Sequence, residues 1–286
     1  MKKSLYYYFI IIFFFTLTLQ AKEDTIIINA FYGGDIDKVR YKDAKTAMEL
    51  WIKKLADKVG VRSKLLFYRN FSKLKQDIEY QKIDTLILSS YSYLTYLHFC
   101  KQNFYQGWIK EEKDGKPFFR YLLLSTKKIK IKDEYKVDYY QYSNISKTIA
   151  QIYGWEHKKN FIFQKTSKES KPTLDLFFNK CDYAIVKEER WKLMQELNPQ
   201  LTQTIKIIYT TPRIFVDIIS LFSNHLSQKN RNIYYKSLNS LNTTSEGKQL
   251  MRLFKFNGLI RFRENQLYPL ERYYAKYLKL KAKYAH

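Results

Sequence analysis

Residues 63–90 read SKLLFYRNFSKLKQDIEYQKIDTLILSS. The stretch divides into three pieces. Ser63 to Tyr68 is aliphatic and aromatic and reads as a strand. Asn70 is a helix cap ahead of a polar helical segment over Phe71 to Tyr80. Thr85 to Leu88 is a second apolar strand, and Ser89-Ser90 begins the turn after it. The same alternation extends upstream. TIIINA at Thr25–Ala30 is a β-branched run, followed by the loop Phe31-Tyr32-Gly33-Gly34-Asp35. From Lys42 to Val59, Ala44, Ala47, Met48, Trp51, Leu55 and Val59 fall at steps of three and four on one helical face, and Gly60 ends the pattern. Strand, helix, strand, helix, strand predicts a parallel sheet covered by helices. Such sheets bind ligands beyond the carboxyl ends of their strands. Those ends are 31–35, 68–71 and 89–93, which carry Tyr32, Tyr68, Phe71, Ser89, Ser90, Tyr91 and Tyr93.

Downstream, Tyr105–Lys110 and Phe118–Ser125 read as the arms of a hairpin about Asp114-Gly115. A second βα block follows. Strands are expected at 137–140, 160–164, 182–186 and 204–209. Helices are expected from the polar turn at 142–148 to about Trp155, then over 172–179 and 188–197. Pro212–Phe222 is apolar and β-rich, and the remainder is helical over 228–241, 244–254 and 266–281. Two βα blocks joined by extended segments describe two lobes and a hinge, an arrangement that encloses small ligands.

The first residues have a different character. Lys2 and Lys3 precede the uncharged run Leu5–Leu19, and Ala21 is followed by Lys22-Glu23-Asp24. This is the pattern of a secretory signal peptide over residues 1–21, shorter than the roughly 20 apolar residues of a membrane span. The alternative is an uncleaved N-terminal membrane anchor, since Leu19 is bulkier than the usual small residue. Cleavage leaves 22–286, which is 265 residues. The net charge is +24, or +22 without Lys2 and Lys3. Such a charge favours anionic partners, although Lys is spread along the whole chain and accompanies an Ile-, Asn-, Tyr- and Phe-rich composition. Export argues against nucleic acid as the partner. Cys100 and Cys181 fall in different lobes of this architecture, so a disulfide between them is not expected.

At this point several segments resemble one family. Ala44–Leu94, Phe177–Trp191 (FFNKCDYAIVKEERW), Glu196–Gln200 (ELNPQ), Leu241–Phe256 (LNTTSEGKQLMRLFKF) and Gly258–Tyr268 are similar, in order and spacing, to phosphate/phosphonate-type periplasmic substrate-binding proteins of ABC transporters. The resemblance implies a type-II periplasmic binding protein: α/β, two lobes, each a mostly parallel sheet with flanking helices, joined by two hinge strands. It implies lobe I over 22–118 plus 210–286, and lobe II over 119–209. It implies a monomer in the periplasm that takes a small oxyanion and passes it to an inner-membrane ABC permease. A membrane sensor (kinase, cyclase or chemoreceptor) is the alternative partner.

The resemblance also implies where donors would lie. In lobe II the family presents a hydroxyl-rich turn at a helix start, here Ser143-Asn144-Ile145-Ser146-Lys147-Thr148, though without the family's glycine. Helix N-termini attract anions, but Asn144 or Ser146 would equally serve as a plain cap. In lobe I the turn after the third strand holds Ser89, Ser90 and Tyr91, where turn chemistry is the competing role. Tyr32, Tyr68 and Phe71 are aromatic candidates, with a core role as the alternative. Lys187 stands near the family's usual acidic residue. Facing the cleft it would favour a fully ionised anion over an aminoalkyl phosphonate; otherwise it is a solvated helix-start lysine.

No enzyme reading is supported. His98, His157, His225 and His286 lack metal-ligand spacing, and there is no P-loop, GxGxxG or GxSxG. No cofactor or metal is expected. An adhesive secreted protein and an anion-dependent hydrolase are the rival classes.

Overall fold

The computed structural model describes residues 26–34, 45–46, 49–50, 52–54, 56–57, 61–111, 117–127, 131–140, 144–253 and 257–284. Two sheets organise them. The first contains β1 (Ile26–Tyr32), β2 (Arg62–Tyr68), β3 (Thr85–Ser89), β4 (Phe104–Glu111), β10 (Ile218–Ser223) and β11 (Gly258–Arg261), in the order β11-β4-β10-β3-β1-β2. The second contains β5 (Tyr121–Thr126), β6 (Glu134–Tyr140), β7 (Asn160–Thr166), β8 (Tyr183–Lys187) and β9 (Ile205–Thr210), in the order β7-β6-β8-β5-β9.

The expected parallel pairings are present. β1 runs parallel to β2 and β3, with Ile26 opposite Arg62 and Asn29 opposite Thr85. β6 runs parallel to β7 and β8. Helix α1 (Phe71–Glu79) connects β2 to β3, and the side chain of Asn70 caps it by accepting from the amides of Ser72 and Lys73. The strand pleat sends alternate side chains to opposite faces. Ala30, Tyr32, Leu86 and Leu88 therefore join one core, while Phe31 and Ile87 join another. The first core continues through Phe119 and Phe215 to Val137 and Ile185 of the second sheet and Ile149 of the helix over Asn144–Glu156. Full burial of Leu74, Leu86 or Ile149 contributes on the order of 1.5–3 kcal/mol each.

Three expectations change. The hairpin about Asp114-Gly115 does not form. β4 pairs antiparallel with β10 and β11 in the first sheet, whereas β5 pairs antiparallel with β8 and β9 in the second. Each arm finds distant partners that the local turn signal cannot encode; residues 112–116 lie outside the described residues. Ser90 is the first residue of a helix, α2 (Ser90–Thr95), which α3 (Leu97–Asn103) follows. β11, only four residues long, is an added edge strand. The 44–59 face named above lies outside the described residues, but helical residues between 45 and 57 bury Ile52 and Ala56.

The remaining helices are α4 (Asn144–Glu156), α5 (Lys171–Phe177), α6 (Glu188–Leu197), α7 (Leu201–Thr204), α8 (Gln228–Thr243), α9 (Ser245–Leu253) and α10 (Tyr268–Tyr284). The last touches both halves. Its Glu271 accepts from the Tyr93 hydroxyl at 2.8 Å and pairs with Lys101 at 2.5 Å. Further along, Tyr277 stacks on Trp155 and Lys276 pairs with Glu156 at 2.6 Å.

The chain passes between the sheets twice, from β4 to β5 and from β9 to β10. There Phe119 and Phe215 exchange backbone hydrogen bonds of 2.9 and 3.1 Å, and the Thr211 amide donates to the Tyr121 carbonyl. Arg120 and Arg213, one from each crossing, both grip the Glu188 carboxylate at the start of α6. The hydrogen bond from Arg120 dominates and pulls the Glu188 carboxyl down to about 2.

Candidate functional site

The carboxyl ends of the parallel strands meet near these crossings. β3 ends at Ser89, whose side chain caps α2 by accepting from the Ser92 amide at 3.1 Å. The Ser90 amide donates to the Asp217 carbonyl at 3.0 Å, and Ile218 lies opposite Ser89 in the sheet. β8 of the second sheet ends at Lys187. Its ammonium donates to both carboxylate oxygens of Asp217 at 2.7 Å and lies 4.2 Å from the centre of the Phe119 ring. Asp217 thus ties the end of β3 to the end of β8.

Beside Lys187 is a small hollow lined by Tyr121, Tyr140, Ser146, Glu169, Ile185, Val186 and Arg190 as well as Lys187 itself. It collects the ends of β6 and β8 and the first turns of α4 and α6. Ser146 is fully buried there. Arg190 is held by Glu169 in an ion pair. The hollow measures about 20 Å³, room for about one water molecule. The hollow as it stands is too small for a phosphonate group.

The other predicted residues are distributed unevenly. Lys147 turns away, its ammonium 5.3 Å from the Phe163 ring centre. Thr148 donates back to the Asn144 carbonyl at 3.2 Å, a bond internal to α4. Ser143 lies outside the described residues. In the first sheet, Tyr32 is buried with its ring edge-on to Phe71 and Tyr96 and its hydroxyl 3.2 Å from that of Tyr96. Phe71 stacks flat on Tyr96 at 3.4 Å. The Tyr68 hydroxyl donates to Asp77 at 2.7 Å, and burial with that carboxylate raises its pKa. Tyr91 packs edge-on to Tyr274 of α10. Ser146 and Lys187 are therefore brought together, Ser89 and Ser90 reach them through Asp217, and the aromatic candidates form a separate cluster.

Asp217, Arg190 and Glu169 were not singled out from the sequence. Asp217 carries one available signal: it is the sole charged residue in the apolar run IFVDIISLF.

Comparison with known proteins identifies the family. A family model described as the periplasmic substrate-binding protein of the phosphonate ABC transporter matches residues 40–268, four fifths of the chain. The chain belongs to this family. The family is one of periplasmic, substrate-binding transport components. Its members' fold, a type-II periplasmic binding protein, is the fold described above. The binding-protein component of a phosphonate ABC transporter from Pseudomonas aeruginosa superposes with a TM-score of 0.58 at 13% identity, covering 91% of this chain and 89% of that one. PhnD1 from Prochlorococcus marinus, solved with methylphosphonate, gives 0.59 at 13% identity, covering 90% and 100%. A Xanthomonas citri protein solved with chloride gives 0.63 at 9% identity, covering 90% and 99%. No curated protein sequence matches. Among the described residues, no helix is long and apolar enough to cross a membrane, and no cluster of His, Cys, Asp and Glu is set to hold a metal.

Proposed function

We propose that this member of the phosphonate-transporter family captures a small, fully ionised oxyanion, such as phosphate, phosphite or a simple alkyl phosphonate, and delivers it to an inner-membrane ABC permease. The lobes would be 22–118 with 210–286, and 119–209. The observation that carries the reading is the Lys187–Asp217 ion pair at the junction of β8 and β3, beside the buried Ser146 hydroxyl. An incoming oxyanion competes with the Asp217 carboxylate for the Lys187 ammonium. Ser146 and the amide ends of α4 add donors. A ligand ammonium would meet Lys187, a like charge, so aminoalkyl phosphonates are disfavoured. Contacts made to both lobes at once would favour the closed form that a permease recognises.

Thermal unfolding of the purified chain against phosphate, phosphite, sulfate, methylphosphonate and 2-aminoethylphosphonate tests this. At 100 times its dissociation constant a true ligand stabilises by about 2.7 kcal/mol. Ser146→Ala and Lys187→Gln should each weaken that ligand. Asp217→Asn, by removing the competing carboxylate, should tighten it roughly fivefold, about 1 kcal/mol. Absence of stabilisation by every oxyanion overturns the reading. A preference for 2-aminoethylphosphonate over methylphosphonate overturns the ligand class while sparing capture itself.

A further inference from the structure

The first sheet carries a second feature, at the end opposite to the hollow. Phe222 is opposite Thr85, at the amino end of β3, and also opposite Tyr105 in β4. Thr85 lies about 13 Å along the strand from Ser89. Arg261 of β11 is opposite Trp108 of β4. A bulge in β4, between the partners of Ser220 and Phe222, turns Tyr105 to the same face as Trp108. Arg261 and the neighbouring Arg263 then line an open cavity of about 920 Å³ together with Tyr105, Glu264, Asn265 and Gln266.

The groups here are unbalanced. The Arg261 guanidinium lies 4.1 Å over the Tyr235 ring, and that of Arg231 lies 4.3 Å over the Tyr105 ring. Among the described residues, none of Arg231, Arg261 and Arg263 pairs with a carboxylate. Glu264, the one acid lining the cavity, is drawn toward Lys101 at 3.9 Å. Among the described residues, the buried hydroxyl of Tyr105, which lines the cavity, has no hydrogen-bond partner; the Trp108 indole N–H is likewise unpartnered but does not line the cavity. Buried donors without acceptors are unfavourable and mark a place where an acceptor-rich group belongs. Guanidinium forks positioned by aromatic faces suit phosphate oxygens, which they can hold in pairs.

We propose that the Arg261–Arg263 cavity binds a phosphate ester, at a site separate from the Lys187 hollow. The ester could come from a soluble organophosphate or from the headgroup of an anionic lipid; β1 begins at Ile26 at this same end of the sheet. Calorimetric titration with glycerol 3-phosphate tests the first source, and co-sedimentation with phosphatidylglycerol vesicles, against phosphatidylcholine vesicles, tests the second. The double variant Arg261→Gln/Arg263→Gln should lose binding to whichever probe engages the native chain, on the order of tenfold. The exposed pair Lys136→Gln/Lys206→Gln removes the same charge elsewhere and should leave it unchanged. Binding of glycerol 3-phosphate assigns a soluble ester, and sedimentation with phosphatidylglycerol alone assigns a headgroup. Failure of the native chain to bind either probe, or equal losses in the two double variants, overturns the site. Neither result bears on oxyanion capture at Lys187.

Discussion

Asp138 of β6 is almost wholly buried, and one of its carboxylate oxygens has no hydrogen-bond partner among the described residues. Burial, reinforced by the nearby Asp175 carboxylate, pushes its pKa up to about 7, against the pull of Lys171. The folded chain therefore holds this proton more tightly than the unfolded chain does. That contribution to stability is complete below the ordinary carboxyl value near 3.8 and is lost as pH rises through about 7. Asp175, held by Lys171, is shifted down and works in the opposite sense at lower pH. Melting of native and Asp138→Asn protein between pH 4 and 8 should show the variant losing less stability on the alkaline side. The difference in slope is at most about 1.4 kcal/mol per pH unit, the limit for one proton. Identical slopes would remove Asp138 from this role. At this scale the sequence was only partly legible. Ser146 and Lys187 stood out by type and position, whereas their neighbour Asp217 depends on a contact 30 residues away. The aromatic candidates Tyr32, Phe71 and Tyr68 form contacts with one another or with Asp77, and in a chain with 26 Tyr and 20 Phe no pattern of spacing separates such a cluster from a ligand wall.

Elements whose hydrogen bonds are local, or whose partners lie one crossover away, were readable. α6 begins and ends at the expected residues, and α1 sits behind its Asn70 cap. Asn70→Ala should lower stability by about 1 kcal/mol in urea unfolding. Elements defined by distant pairing were not readable: β5 left the supposed hairpin for β8 and β9, and β11 is too short to show a period. The β4 bulge belongs to the same class. A Cβ on Gly107 would sit 1.8 Å from the Ser220 carbonyl oxygen of β10, so only glycine permits that approach. Gly107→Ala should destabilise more than Asn70→Ala does, by about 2 kcal/mol or more. It should also disturb the aromatic near-ultraviolet signal of Tyr105 and Trp108. A silent Gly107→Ala variant would mean that β4 and β10 pair without the bulge.

Over the whole molecule, the alternation of strand and helix revealed the α/β class, because each parallel crossover leaves its period in the sequence. How the two sheets are held relative to each other did not show in advance, because α10 joins the Phe119–Phe215 crossings and the Lys187–Asp217 pair in linking them. That helix reaches Tyr93 and Lys101 on one side and Trp155 and Glu156 on the other. Trp155→Ala combined with Lys276→Ala should loosen the second attachment while sparing both sheets. Small-angle scattering of the ligand-free variant should then give a larger radius of gyration than the native chain, with unchanged far-ultraviolet dichroism. Equal radii would show that the remaining links, the crossings at Phe119 and Phe215 and the Lys187–Asp217 pair among them, fix the arrangement without the second α10 attachment.

Cys100 and Cys181 are both free, both buried, and lie in different parts of this arrangement, one after α2 and one before β8. Burial pushes the Cys100 thiol up to about 12, and burial with nearby carboxylates raises Cys181 as well. Neither forms appreciable thiolate while the fold is intact. The chain thus carries its own pair of silent reporters. Pulsed alkylation followed by peptide mass mapping would time the opening of each half separately, and new surface cysteines for fluorophore pairs could be introduced without replacing the native ones.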